Sequence, residues 1–414
     1  MKAIEISQGI YRVGVNIREK DYLFEGLWPI PDGVAINAYF VKGDKVALID
    51  SWCTTEEYCP VGVVDLEQHP GSYERILSSV GITPDMVSHV VVNHMEPDHS
   101  GWLGHFFKDH PHVQLICTAK TVPMLRDFYG ITENIRTVKT GDSLNLGGGK
   151  ELVFYEAPNV HWPETMVTFE KNSGTLFSCD AFGSYGAVEE DAIYDTDMTP
   201  EKLDFYERET LRYYANIVAT FSQPVLNALS ALGGLPIKMI APAHGLIWKG
   251  DIGRVIGMYK KLADYAKNGG EKKICLMWSS MYGNTGVAID TVREALKESG
   301  IPFSEHRIPE SPTGMVLADA WESKGYIIAM PTYEYKMFPP MAHLISDLKL
   351  KHMFHKKVLR LGSFGWAGGA EKDFQANIEG MHWDCLPSVE WAGSPTKEIL
   401  QTLKDSVKKL AASL

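Results

Sequence analysis

A change in the pattern of strands and helices near residues 266–273 limits the folds that are open to this chain. The segment is mostly polar, contains Gly269 and Gly270, and separates a helical pattern from a new apolar strand. A chain of 414 residues also exceeds the size at which one hydrophobic core stops growing. We therefore predict two domains, residues 1–268 and residues 269–414.

The first domain has the pattern of a strand-rich sheet with intervening helices. Short apolar runs bounded by turn residues predict strands at residues 39–41, 46–50, 87–93, 152–157, 165–170, 175–179 and 237–241. Residues 199–232 have a mainly helical pattern.

Strands and helices alternate in the second domain. Strand-like runs lie at residues 274–278, 326–330, 358–361 and 386–391. The helical segment 287–299 carries one apolar stripe, formed by Ala288, Val292, Ala295 and Leu296. Alternating βα units predict a parallel, doubly wound sheet with helices on both faces.

A cluster of metal-capable side chains follows the apolar run 87–93. Four of them fall within six residues: His94, Glu96, Asp98 and His99. In an extended loop, His94, Glu96 and Asp98 can point one way and His99 across, so one segment could supply two metals. A polar surface loop would explain a single histidine. Three more candidate ligands follow strand-like runs, which favours a metal site: His161, Asp180 and His244.

Three loops at the ends of predicted strands form a second candidate site. The first loop runs from a strand into a helix, which is the geometry for holding a phosphate at a helix N-terminus. The other two also follow strands, where ligands bind in open α/β sheets. No G-x-G-x-x-G motif follows a strand in this half, which disfavours a dinucleotide. The candidate cofactor-binding residues are Ser279, Ser280, Met281, Tyr282, Gly283, Asn284, Thr285, Pro331, Thr332, Tyr333, Glu334, Ser363, Phe364, Gly365, Trp366, Ala367 and Gly368.

Composition excludes several classes of function. A formal charge of −12 disfavours a nucleic-acid partner, which would require clustered basic residues. No apolar run reaches spanning length and residues 1–16 lack a signal-peptide pattern, so we expect a cytoplasmic protein without membrane segments. The six cysteines, which include Cys53 and Cys59, contain no C-x-x-C pair, so neither a disulfide scaffold nor a rubredoxin-type iron site is expected.

The metal-capable residues resemble the H-x-H-x-D-H, His, Asp, His ligand series of the metallo-β-lactamase fold, with Glu96 in place of the second histidine. A carboxylate at that position shifts the preference from zinc toward iron or manganese. Within this fold the replacement is typical of flavodiiron proteins, and the resemblance covers essentially the whole chain. It implies an N-terminal metallo-β-lactamase-like αββα sandwich and a C-terminal flavodoxin-like domain that binds FMN.

The resemblance also implies roles for the candidate residues. His94, Glu96 and His161 would ligate one iron, Asp98 and His244 the other, and Asp180 would bridge them. The histidine equivalent to His99 ligates in some members of the family and is turned away in others, and we include it. Ser280 and Thr285 would hold the FMN phosphate. The ring would be flanked by Thr332, Tyr333, Phe364 and Trp366.

Flavodiiron proteins reduce dioxygen to water, nitric oxide to nitrous oxide, or both, and the same ligands serve both gases. Reduced flavin with two ferrous ions holds the four electrons that dioxygen needs, and two electrons suffice for two nitric oxides. Rubredoxin or a reduced deazaflavin would each fit as electron donor. Two alternatives remain: a metallohydrolase fused to a flavodoxin electron-carrier domain, which zinc would indicate, and a non-enzymatic electron carrier.

The expected assembly is a head-to-tail homodimer, alone or as part of a tetramer. Domains of about 270 and 145 residues have radii of gyration near ~18 and ~15 Å, so their centres in one chain would lie roughly 33 Å or more apart. A two-fold pairing would set each flavin against the partner's irons, and the resemblance implies the same arrangement.

Overall fold

The computed structural model describes residues 3–19, 21–51 and 77–414, so Cys53 and Cys59 lie outside the described residues. Contacts divide the chain into two compact units, Met1–Tyr213 with Gln223–Lys260, and Tyr214–Ser222 with Lys261–Leu414. This division falls inside the helix Ile252–Asn268, whereas the predicted limit follows its last residue. That limit stays a prediction.

The first sheet of the first unit has seven strands in the order β1-β2-β5-β6-β7-β8-β9. The strands up to β6 pair antiparallel, and β6 to β9 pair parallel. A two-stranded hairpin, β3 and β4, lies off this sheet. The bounds are β1 Ala3–Ser7, β2 Ile10–Ile17, β3 Leu23–Phe24, β4 Trp28–Pro29, β5 Val34–Lys42, β6 Val46–Ile49, β7 Val87–Val91, β8 Gln114–Thr118 and β9 Ile135–Val138.

The second sheet has five strands, antiparallel from β10 to β13, with β14 parallel to β13. Side chains of both sheets meet in one core, where Ile49 and Ile116 of the first sheet join Phe154 and Phe177 of the second. The two sheets therefore form a sandwich. The bounds are β10 Ser143–Gly147, β11 Lys150–Glu156, β12 Met166–Glu170, β13 Thr175–Cys179 and β14 Met239–Pro242.

Helices fill the connections of this sandwich. Val225 and Leu229 of one helix and Tyr259 of another line a common apolar cleft with Val167 and Leu176 of the second sheet. The predicted helix over residues 199–232 is interrupted at Tyr214–Val218 by a π-helical turn. The α-helices are Pro97–Ser100, Leu103–Asp109, Thr121–Tyr129, Pro200–Tyr213, Ser222–Leu232 and Ile252–Asn268.

The second unit is built on a parallel sheet of order β16-β15-β17-β20, with β21 and β22 both on the far side of β20. This order is that of flavodoxin-like doubly wound sheets. A short hairpin, β18 and β19, follows β17. The bounds are β15 Glu271–Trp278, β16 Phe303–Arg307, β17 Ser323–Ala329, β18 Thr332–Tyr333, β19 Lys336–Met337, β20 Lys357–Phe364, β21 Asp384–Cys385 and β22 Val389–Ala392.

Apolar helix faces cover this sheet. Val292 and Leu296 of one helix belong to the same core as Leu276 of β15. Leu403 and Leu410 of the last helix join that core. The helices are Asn284–Ser299, Thr313–Glu322, Pro339–Leu350, Ala370–Asn377 and Lys397–Ser413. The predicted fold class, a sandwich of metallo-β-lactamase type with a flavodoxin-like sheet, is confirmed. No helix in the described ranges is both long and apolar enough to span a bilayer.

Candidate functional site

Four loops at one edge of the sandwich carry the candidate metal ligands. They follow β7, β11, β13 and β14. The first loop differs from the expected extended form, because Pro97 begins a short helix, Pro97–Ser100, with Glu96 at its N-cap. Asp98 and His99 are therefore consecutive helical residues, and the structure brings both of them to the same group of ligands.

The first group of donor atoms consists of His94, Glu96, His161 and Asp180. Oε2 of Glu96 lies 3.1 Å from Nε2 of His161 and 3.4 Å from Nε2 of His94. Oδ2 of Asp180 lies 3.3 Å from Nε2 of His94 and 3.4 Å from Nε2 of His161. One imidazole nitrogen of each histidine thus faces both carboxylates.

The second group consists of Asp98, His99 and His244, with Asp180 beside them. Oδ2 of Asp98 lies 3.3 Å from Nε2 of both histidines. Oδ1 of Asp180 lies 3.0 Å from Nε2 of His99 and 3.4 Å from Nε2 of His244. The two carboxylate oxygens of Asp180 therefore face different groups, as a bridging ligand requires.

The donor spacing fits two small divalent cations. Atoms that bind one ion at about 2.1 Å are separated by roughly 3.0 Å in octahedral and 3.4 Å in tetrahedral geometry. Several buried donors also lack a hydrogen-bond partner among the described residues: both carboxylate oxygens of Asp98, Oδ2 of Asp180 and Nε2 of His244. Because such atoms are costly to bury unpaired, they point to ions that satisfy them.

Charge in the cluster supports the same conclusion. Burial disfavours the charged form of His161, but the nearby carboxylates of Asp180 and Glu96 outweigh it and raise the pKa of His161 to about 9. Burial also disfavours the charged form of His244, but the nearby carboxylates of Asp180 and Asp98 raise the pKa of His244 to about 10. Burial acts against ionised Asp180, yet the nearby His99 and hydrogen bonds from the histidines hold the pKa of Asp180 well below its usual range. The buried, ionised carboxylates are therefore stabilised by positive charge between the two donor groups, which metal ions would supply.

The thiol of Cys179 lies within 4.8 Å of donor atoms of His99 and Asp180. Burial raises the pKa of Cys179 well above its ordinary value. A neutral thiol is a poor metal ligand, so the histidines and carboxylates remain the candidate donors.

Glu164 orients the buried ring of His94, a contact that the sequence analysis did not predict. Nδ1 of His94 donates to Oε1 of Glu164 at 2.7 Å, and the amide of Met95 donates to the same oxygen at 2.9 Å. Nδ1 of His244 donates in the same way to the carbonyl of Ala35 at 3.0 Å. These bonds leave Nε2 of each ring free to face the donor groups.

Replacing Glu164 by glutamine is expected to weaken iron binding by about 10- to 100-fold, because the ring of His94 loses the carboxylate that orients it. Competition with a chelator, followed by elemental analysis, measures the affinity. Glu156→Gln is the matched control, since Glu156 is exposed at the end of β11. Equal iron affinity in Glu164→Gln and the control would contradict the orienting role.

Aromatic side chains line the second donor group. The hydroxyl of Tyr213 donates to Oδ1 of Asp180 at 2.9 Å. The ring of Phe24, on the hairpin β3–β4, meets the rings of Tyr185, Tyr213 and His244 edge to face, with centroids 5.4 to 5.9 Å apart. The sequence carries no local signal for Tyr213, because its contact with Asp180 joins segments that are far apart in the chain.

The three candidate flavin loops meet in a cavity of about 410 Å³. Its lining residues are Ser280, Met281, Tyr282, Asn284, Thr285, Pro331, Thr332, Tyr333, Glu334, Ser363, Phe364, Gly365, Trp366 and Gly393. Gly393 was not predicted. Four predicted residues are absent from the lining, and their part in binding stays a prediction: Ser279, Gly283, Ala367 and Gly368. Ser279 is buried and donates its hydroxyl to the carbonyl of Ile308 at 2.8 Å.

Hydrogen bonds join the loops around this cavity. Oγ of Ser280 accepts from the amides of Gly283 and Gly286, at 3.1 and 3.2 Å. The hydroxyls of Thr285 and Ser363 are 2.8 Å apart, which connects the first loop to the third. The cluster lies at the N-terminus of the helix Asn284–Ser299, where backbone amides and the helix dipole favour a phosphate.

The part of the cavity lined by Thr332 and Trp366 fits a planar aromatic ligand. Trp366 is 80% exposed, and its Nε1 donates to the hydroxyl of Tyr335 at 3.2 Å. Oγ1 of Thr332 is buried without a hydrogen-bond partner in the part of the chain that the structure describes. Exposed rings beside an unsatisfied hydroxyl are what a flavin would cover.

Comparisons with known proteins find relatives that match nearly the whole chain. The sequence model of the ODP family beta lactamase matches residues 68–245. The anaerobic nitric oxide reductase flavorubredoxin of Pectobacterium carotovorum is 26% identical over 414 residues, which cover 99% of this chain and 78% of that protein. A mutant of the flavo di-iron protein of Thermotoga maritima is 28% identical, with a TM-score of 0.85, and the alignment covers 100% of this chain and 99% of that one.

A further structure shows the same fold. Rubredoxin oxygen:oxidoreductase from Desulfovibrio gigas has a TM-score of 0.89 at 24% identity, covering 100% of this chain and 98% of that chain. Over nearly its whole length, the chain is thus similar to a flavorubredoxin and to a flavo di-iron protein.

Proposed function

We propose that this protein reduces dioxygen to water, nitric oxide to nitrous oxide, or both, at a non-haem diiron site that receives electrons from FMN. The observation that carries the proposal is the position of Asp180, whose two oxygens face two separate groups of histidine and carboxylate donors. The relatives that are named nitric oxide reductase and oxygen oxidoreductase support the two substrates.

Each cofactor would be held by residues of one unit. His94, Glu96 and His161 would hold one iron, Asp98, His99 and His244 the other, and Asp180 would bridge them. A diferrous pair and a reduced flavin supply the electrons for the reduction of a small oxidant. Ser280, Thr285 and neighbouring amides would hold the FMN phosphate, and Thr332, Tyr333, Phe364 and Trp366 would flank its ring.

The protein's own residues shape the place where the gas binds. The rings of Phe24 and Tyr185 are buried, so they exclude water beside the second donor group. The hydroxyl of Tyr213 donates to Asp180, which fixes that carboxylate between the two groups. A small apolar gas reaches such apolar surroundings at little cost, whereas a charged hydrolase substrate would lose its hydration.

Iron analysis and gas consumption test this function. The purified full chain is expected to contain two irons and one FMN, and the anaerobically reduced protein should be reoxidised by dioxygen, nitric oxide or both in stopped-flow measurements. The double variant Glu96→Ala with His161→Ala is the control and should keep FMN but be reoxidised much more slowly, because only the direct reaction of the flavin with the gas remains. Native protein that contains two zincs and hydrolyses esters or lactams would support a metallohydrolase and reject the proposal.

We also propose a head-to-tail homodimer, alone or as part of a tetramer, in which the FMN of one chain reduces the irons of the other. A rubredoxin-type protein or a reduced deazaflavin would reduce the FMN. The family resemblance supports this arrangement, as does the location of the two candidate sites in different units.

A cytoplasmic location is proposed as well, because the described cysteines Cys117, Cys179, Cys275 and Cys385 are free thiols.

Complementation between two inactive chains tests the route of the electrons. A chain with Glu96→Ala and His161→Ala is mixed with a chain altered at Ser280, Thr285 and Trp366, and the subunits are exchanged. Transfer between chains is expected to restore one working pair of sites in each heterodimer. If exchange is confirmed and no activity returns, electrons do not pass between chains.

A further inference from the structure

A buried arginine lies close to the third flavin loop, which follows β20 and contains Gly365, Trp366, Ala367 and Gly368. Arg360 is on β20 and is only 1% exposed. Its Nη1 donates to Oε1 of Glu390, on β22, at 2.5 Å, and lies 3.8 Å from Oε2 of Glu371. The hydroxyl of Ser388 donates to that same oxygen of Glu371 at 2.7 Å. One guanidinium therefore stands between two carboxylates.

This charge cluster contacts both ends of the loop. Gly362, near the end of β20, is the cross-strand partner of Glu390. A β-carbon on Gly362 would lie 3.1 Å from Nη2 of Arg360, and one on Gly368 would lie 3.5 Å from Oε2 of Glu390. The segment between them contributes Ser363, Phe364, Gly365 and Trp366 to the lining of the flavin cavity.

Hydrogen bonding of the guanidinium is incomplete. Nε and Nη2 of Arg360 are buried and have no hydrogen-bond partner among the described residues. Removing the arginine side chain from water has a large free-energy penalty. The attraction between the guanidinium and a carboxylate is of similar size, so the pair adds little net stability. An apolar side chain would fill this position in the sheet at lower cost, so the cluster points to a ligand above it rather than to stability.

The charge of the cluster matters for a flavin because the ring becomes anionic when it takes up two electrons and one proton. A cation near the ring stabilises the reduced form and an anion destabilises it. We propose that Arg360 is a positioning residue for FMN, which holds the third loop against the ring through Glu390 and raises the flavin's midpoint potential by its charge. This inference rests on the proposed FMN site.

Opposite charge changes in the cluster should move the potential in opposite directions. Arg360→Met removes the cation and leaves Glu390 unpaired, so FMN is expected to bind at least roughly tenfold more weakly, with a more negative potential. Glu390→Gln removes one anion and should make the potential more positive. Arg360→Lys keeps the charge and should restore a potential close to that of the unaltered protein. Redox titration and FMN titration of the full chain measure both quantities.

Lys357→Met is the matched control, because it removes one positive charge at the first residue of the same strand, where Lys357 pairs with Asp384. It should leave the potential unchanged. Shifts of the same sign in Arg360→Met and Glu390→Gln, or no shift in either, would overturn the proposal. If Arg360→Met fails to fold, the midpoint potentials of Glu390→Gln and Arg360→Lys test the proposal without it. Absence of FMN from the unaltered chain would instead reject the FMN site itself.

Discussion

Asp180→Asn should reduce gas consumption by at least about 100-fold and lower the iron content below two per chain. An amide offers one good donor oxygen, whereas the two oxygens of Asp180 face different groups of ligands. The amide also lacks the negative charge that offsets two cations. FMN content should stay the same, because the candidate flavin residues belong to the other unit. Elemental analysis, a gas electrode and the flavin absorbance measure the three quantities.

Asp204→Asn is the matched control for this substitution. Asp204 is exposed on the helix Pro200–Tyr213, which also carries Tyr213. The control should keep both irons and the activity of the unaltered protein. Two tightly bound irons and undiminished activity in Asp180→Asn would show that this carboxylate does not bridge the ions.

The candidate ligands could be predicted because they follow strands. Strand ends meet at one edge of a sheet, so residues as distant in sequence as His94 and His244 were expected to converge. The structure brings all seven predicted ligands into two adjoining groups. Only the local conformation differed, because Pro97 starts a helical turn where an extended loop was expected. The flavin loops were predictable for the same reason, at the carboxyl ends of β15, β17 and β20.

The contacts that orient the site residues could not be predicted, because they have no local pattern in the sequence. Glu164 and His94 are 70 residues apart, and Arg360 and Glu390 are 30 residues apart. Neither pair belongs to a spaced motif, because its geometry comes from the packing of whole strands. Among the strands, β1 to β4, β8 to β10, β16, β18, β19 and β21 were not predicted. The polar run Phe303–Arg307 of β16 lies at the edge of its sheet, where no apolar pattern is required.

The interruption of the helix over residues 199–232 was also unpredictable. The turn Tyr214–Val218 is buried throughout, and it belongs with the second unit, whereas Tyr213 belongs with the first. Lys351 donates to the carbonyl of Asn216, and the ring of Tyr214 lies 6.1 Å from that of Trp321. Tertiary packing thus overrides a sequence whose propensity favours one continuous helix.

Lys356→Met should destabilise the second unit by about 3 kcal/mol. Nζ of Lys356 is buried, and its three N–H groups are shared among four carbonyl oxygens at 2.8 to 3.1 Å, those of Gly269, Ala320, Trp321 and Ser323. Ala320 and Trp321 lie in the last turn of a helix, whose carbonyls have no partners within the helix. Methionine fills a similar volume but donates no hydrogen bond, so the carbonyls lose the donor Nζ, although that of Ala320 keeps another, the hydroxyl of Tyr326 at 2.7 Å.

Lys357→Met is the control for this prediction as well. Nζ of Lys357 bonds to Asp384, whose side chain is 70% exposed, at 3.0 Å. Such a pair contributes about 0.5 kcal/mol or less. Hydrogen exchange of the amides of β15 and β17 measures the free energy of opening, with peptides of the first unit as internal reference. Equal protection in the two variants would show that the four carbonyl contacts add nothing to stability.

The difference in stability between the unaltered protein and Lys356→Met should depend on pH, and this dependence also tests the contacts of Lys356. Burial lowers the pKa of Lys356 to about 7, whereas an unfolded lysine titrates near ~10.4. Between these values the unfolded chain binds more protons, so the stability of the unaltered protein rises with pH, by up to ~1.4 kcal/mol per unit. Lys356→Met lacks this contribution. The difference in free energy between the two proteins should therefore widen from pH 7 to pH 9, after correction for the intrinsic exchange rate. A constant difference would mean that Lys356 titrates alike in the folded and unfolded chain.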